Sequence, residues 1–122
     1  MTQLLEHTLL SAHDARSGRL DALKLAHTLA LSTPQMARIV GYTPAGLRKN
    51  PNSERLQGKL QGLVGLTQRL KVLFDGNLGH ALVWLKAPHP DLEGKTPLRC
   101  LEDGQADAVE LLVYAMETGQ PL

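Results

Sequence analysis

Leu56, Leu60, Leu63, Thr67, Leu70 and Phe74 follow one another at 4-3-4-3-4 spacing, a continuous seam along one face of a helix. A strand would alternate with a period of two, so this spacing commits the centre of the chain to a long helix. Every other readable segment has the same helical period, and the punctuation is of the helix kind. Ser32-Thr33-Pro34-Gln35 offers a capping hydroxyl, proline in the first turn and glutamine three residues after the serine. Thr43-Pro44 and Thr96-Pro97 repeat the cap-then-proline device, and Gly41, Gly76 and Gly119 stand where helices should stop. The expected fold is all-α, with helices at about 3–16, 20–31, 34–40, 44–49, 53–74, 78–86, 97–102 and 105–118. The leucine seam serves either the chain's own core or a dimer contact. Gly58, Gly62 and Gly65 lie along another face of the same helix. Each costs about 1 kcal/mol relative to alanine, which points to close helix approach or a bend.

A chain of 122 residues can bury one compact core, or two small helical lobes sharing one, without metal or disulfide. Cys100 has no second cysteine to bridge, which suits a reducing cytosol. The opening MTQLLEHTLL lacks the order of a signal peptide, and no apolar run approaches about 18 residues. A cytoplasmic protein without a membrane anchor is expected. The net charge of +1 hides an asymmetry. Residues 1–75 carry ten Lys/Arg and five Asp/Glu, whereas 76–122 carry three and seven. Arg38, Arg48, Lys49, Arg55, Lys59, Arg69 and Lys71 are opposed only by Glu54. Such a division fits two different partners, the first a polyanion, or else ordinary solvated helix faces. Gly76-Asn77 reads as the joint, giving regions 1–75 and 76–122. Further on, the prolines of Lys86-Ala87-Pro88-His89-Pro90 forbid helix and favour extended chain. Val109, Leu112, Val113 and Met116 form the apolar stripe of a closing amphipathic helix.

The stretch TPQMARIVGYTPAGLRKNPN, from Thr33 to Asn52, fits a helix-turn-helix. Ala37 supplies the small residue where the helices cross, Gly41 the turn, and Met36, Ile39, Val40, Tyr42 and Leu47 the apolar wedge. The second helix would present Thr43, Ala45, Arg48 and Lys49. Arg48 and Lys49 suit guanine edges or phosphate, and Thr43 and Asn52 can cap or contact either. Arg55 and Lys59, one turn apart, suit phosphate neutralisation, while Thr33 and Gln35 suit a phosphate at the first helix's N-terminus. Asn50-Pro51 departs from the motif by ending the second helix after two turns, so two short helices joined at a glycine turn stay an open alternative.

Other signals lead nowhere. Gly94-Lys95-Thr96 lacks the earlier glycine of a phosphate loop, since position 89 is His89. His7, His13, His27, His80 and His89 have no metal-ligand spacing. Asp14 and Asp21 are helix-surface or capping candidates, not catalytic carboxylates. No nucleophile-base arrangement stands out, so neither an enzyme nor a cofactor is expected.

The motif followed by LRKNPNSERLQGKL, ALVWLKAPHPDLEGKTPLRCLEDG and a closing helix ending GQPL resembles the Xre/MbcA/ParS antitoxin family over about residues 20–122. Its most specific part holds Trp84, Leu85, Pro88, Leu92, Gly94, Thr96, Pro97, Leu98, Leu101 and Gly104 in the family's order. The resemblance implies an N-terminal helix-turn-helix bundle joined by a long helix to a small helical toxin-binding domain at 76–122. It further implies a homodimer that represses its own operon at operator DNA. The implied partner is a RES-domain toxin, of a NAD-consuming or ADP-ribosylating fold, whose cleft receives the antitoxin's tail. Glu117, Gln120, Pro121 and Leu122 match that tail by position, and Trp84 and Leu85 match a helix that packs. A free-standing regulator without a toxin, and an interaction module that has lost DNA binding, are the competing readings.

Overall fold

A computed structural model describes residues 12–119. The expected helix at 3–16 lies outside this range except for its end, and there the expectation fails. Residues 12–16 form a turn, not a helix. Asp14 causes it: its carboxylate accepts hydrogen bonds from the Ser17 amide at 2.9 Å and the Ser17 hydroxyl at 3.0 Å. Local side-chain bonding of this kind outcompetes helix propensity. The chain then reverses, and His13 pairs with Leu20 in an isolated antiparallel bridge.

Among the described residues the remaining elements are helices: α1 (Ala22–Thr28), α2 (Thr33–Val40), α3 (Pro44–Lys49), α4 (Gln57–Leu73), α5 (Leu78–Leu85), α6 (Pro97–Glu102) and α7 (Ala106–Thr118). Single 3-10 turns cover Glu54–Leu56 and Pro90–Leu92. The all-α expectation holds, and most boundaries fall where the capping residues put them. Ser32 and Gln35 form a reciprocal capping box ahead of α2. The Thr43 hydroxyl accepts from the Gly46 amide at 3.0 Å and that of Thr96 from the Arg99 amide at 2.9 Å. Each such cap contributes about 1 kcal/mol. Gly41, Gly76 and Gly119 do lie at the expected stops.

The chain divides into two compact units, Met1–Gly65 and Leu66–Leu122, and α4 runs through the division. In the first, α1, α2 and α3 pack on one another around Leu25, Leu29, Met36, Ala37 and Leu47, with Leu56 and Leu60 of the seam also buried. In the second, α6 packs on both α5 and α7. Thr67 and Leu70 of the seam are fully buried there, as are Val109 and Val113. The seam is core. Fully burying each leucine contributes about 1.5–3 kcal/mol, which explains why the spacing is kept without a break.

Candidate functional sites

In the first unit the α2–α3 pair is set by two local devices. Gly41 adopts a left-handed conformation at φ 75°, which lets the chain turn immediately after Val40. Met36, Ala37, Val40 and Leu47 are buried between the helices, while Ile39 and Tyr42 are half-buried. Of the candidate nucleic-acid residues, Thr43, Ala45, Arg48, Lys49, Arg55 and Lys59 are exposed, and Thr33, Gln35 and Asn52 are half-buried. Two have duties within the fold. Gln35 accepts from the Ser32 amide at 2.8 Å through its side-chain carbonyl, and Thr43 caps α3. The structure brings Lys59 to the turn: its Nζ lies 3.5 Å from the point that a Cβ on Gly41 would occupy. Arg48 and Lys49 share the last turn of α3 but, as successive residues, point about 100° apart.

The short α3 has a structural cause. Asn50 leaves the helix at φ −136°, and the Pro51 carbonyl then accepts from the Ala22 amide at 2.8 Å, supplying a partner to the first turn of α1. The Asp21 carboxylate accepts from the Leu23 and Lys24 amides at 2.9 and 3.0 Å, as expected of a cap. Gln57, which sequence reasoning missed, fixes the loop before it. Its side-chain amide accepts from the Leu20 amide at 2.9 Å and donates to the Leu20 carbonyl at 3.0 Å, reproducing the pairing of a neighbouring strand. From Leu23 to Gly65 the only acidic residue is Glu54, against Lys24, Arg38, Arg48, Lys49, Arg55 and Lys59. All six cations are exposed.

The other two members of the basic run belong to the second unit and are engaged there. Lys71 is buried. Arg69 donates to Glu110 at 2.5 Å and, in a two-pronged contact, to both oxygens of Glu117 at 2.6 and 3.1 Å. These bonds from Arg69 hold the Glu117 carboxyl below its ordinary value of 4.5. The resulting stability is present above that value and is lost as pH falls through the lower folded one. Glu117 thus ties the end of α7 to α4. Gln120, Pro121 and Leu122 lie outside the described residues.

The loop between α5 and α6 is not simply extended. The His89 amide donates to the Lys95 carbonyl at 3.0 Å, and Glu93 and Gly94 both take left-handed conformations at φ 57° and 79°. That reversal buries Leu92, and the fixed φ of Pro90 suits the 3-10 turn that carries it. His89 Nδ1 accepts from the Asp91 amide at 3.2 Å, so the 3.8 Å approach of the Asp91 carboxylate is not an ion pair while that bond holds. The Trp84 and His89 rings meet edge-to-face at 6.4 Å. Asp103 accepts from Lys95 at 2.7 Å and Arg99 at 3.4 Å, and the bond from Lys95 holds its carboxyl below the ordinary value. Beside this loop, Asp91, Leu92, Ala108, Leu111 and Leu112 line a groove of about 250 Å³. Leu111 and Tyr114, one turn apart on α7, are exposed at 62% and 54%. Among the described residues no cluster of three metal-ligating side chains occurs, and no helix is long and apolar enough to cross a membrane.

Residues 69–119 match the antitoxin Xre/MbcA/ParS C-terminal toxin-binding domain. This part of the chain is similar to the toxin-binding domain of that antitoxin family. No curated protein and no solved structure matches the chain.

Proposed function

We propose that the chain is an antitoxin that neutralises a RES-domain, NAD-consuming toxin and represses its own operon as a DNA-binding homodimer. The observation that carries the first half is the toxin-binding domain at 69–119. Its tail of Gln120, Pro121 and Leu122, directly beyond the end of α7, is the element assigned to the toxin's cleft. Glu117 contributes by holding α7 against Arg69 at the tail's base. The DNA-binding half is supported by the exposed Arg38, Arg48, Lys49, Arg55 and Lys59 and by the glycine turn between α2 and α3. Arg48 and Lys49 contact bases or phosphate in this reading. Arg55 and Lys59 neutralise phosphates, Thr33, Gln35, Thr43 and Asn52 position the backbone, and Ala45 offers an apolar contact. A free-standing regulator would have no use for the toxin-binding domain, so we set that reading second. Co-expression with a neighbouring RES-domain gene tests the proposal. The full chain should restore growth and co-elute with the toxin, whereas a chain lacking residues 120–122 should co-elute without restoring growth. Growth arrest with the full chain present would refute it.

A further inference from the structure

We propose that the toxin is held on the outer face of α7, where Leu111 lines the groove beside the α5–α6 loop and Tyr114 stands exposed one turn further on, and that this face, separate from the tail, supplies most of the affinity. The inference rests on the antitoxin reading and names the surface that reading leaves undefined. Leu111 and Tyr114 lie at i, i+3 and so share one stripe of the helix. Both are more than half exposed, although the opposite stripe, Val109, Leu112 and Val113, is buried. Exposed tyrosine is among the residues enriched in binding hot spots, and Leu111 beside it lines a small, mainly apolar depression. The groove, at about 250 Å³, is below the 300–1,000 Å³ usual for small-molecule sites, but it accepts one or two partner side chains.

The charge around it identifies the partner's chemistry. Asp91 lines the groove, Asp107 is exposed one turn before Leu111, and residues 66–122 carry eight Asp/Glu against five Lys/Arg. The occupant is therefore a protein segment presenting apolar side chains within a basic rim, since unlike charges at the rim speed encounter and fix orientation. A second copy of this acidic face would repel it.

The test is titration calorimetry of the full-length chain with purified toxin from the neighbouring gene, using Leu111→Asp, Tyr114→Ala and Leu111→Met. Each position is exposed, so the thermal midpoints should stay close to that of the parent. Leu111→Asp and Tyr114→Ala should each weaken binding about 30-fold, the scale of a hot-spot loss, and Leu111→Met should restore it. Parent-like binding by both disruptive variants would overturn the inference and leave the antitoxin reading intact. So would a change in the free chain's sedimentation with Leu111→Asp, which would give the face to self-association. Failure of the parent chain to bind the toxin would overturn the antitoxin reading and this inference together.

Discussion

Single residues far apart in sequence hold the two units in shape, and these were the least legible. Gln57 lies 37 positions from the backbone it clamps, and Arg69 lies 41 and 48 from its two carboxylates. Neither contact leaves a periodic trace, because periodicity records only which face of an element is apolar. Composition even misled for Arg69 and Lys71, which read as part of a polyanion surface but are spent inside the second unit. Caps, by contrast, were legible because donor and acceptor are within four residues: Ser32, Thr43, Thr96 and Asp21 all perform the role their position announced. Gln57→Leu should cost about 1–3 kcal/mol, since it leaves both polar groups of Leu20 without their partner. Urea unfolding measures this, and an unchanged midpoint would show that water replaces the amide.

At the scale of elements, the seam along α4 was readable because its residues from Leu56 to Leu70 are core, and core is what periodic apolarity reports. The end of the first expected helix was misread because a short polar turn, Asp14 to Ser17, interrupts a run that otherwise keeps helical spacing. The Pro88–Pro90 loop was read as extended for a sound reason, the constraint on φ, but burial of Leu92 bends it into a 3-10 turn. The glycines of α4 divide the two explanations offered for them. An added Cβ at Gly58, Gly62 or Gly65 meets nothing within 4 Å. Gly62→Ala should therefore stabilise the isolated chain by about 1 kcal/mol through helix propensity alone. If that face is instead the close contact of the proposed homodimer, the same substitution will shift sedimentation toward monomer. A thermal melt and a sedimentation run on one sample separate the outcomes.

For the whole molecule, the asymmetry of charge between the two halves is the feature that connects sequence to function. The cations of the first unit stand exposed, and in the second Asp91 lines the groove on which Leu111 sits. If five cations neutralise five phosphates, raising salt from 50 to 200 mM should weaken operator binding about 500-fold. Arg48→Ala should weaken it a further ~10–100-fold. Fluorescence anisotropy on a labelled duplex from upstream of the gene measures both, and binding indifferent to salt would remove nucleic acid from the account. The 69–119 domain was legible through motif order, whereas the exposure of Leu111 and Tyr114 was not, because apolar residues at i, i+3 look in sequence like any other part of an amphipathic helix.

The claim on which the rest depends is that this chain silences a partner enzyme by occupying it. The direct measurement is the partner's rate of NAD consumption, titrated with the full chain and with a chain ending at Gly119. Complete inhibition at a fixed stoichiometric ratio by the full chain, with at least tenfold weaker inhibition by the shortened one, is the predicted result. NAD consumption that continues undiminished at saturating full-length chain would contradict the account, and equal inhibition by both would show that the last three residues are not the blocking element.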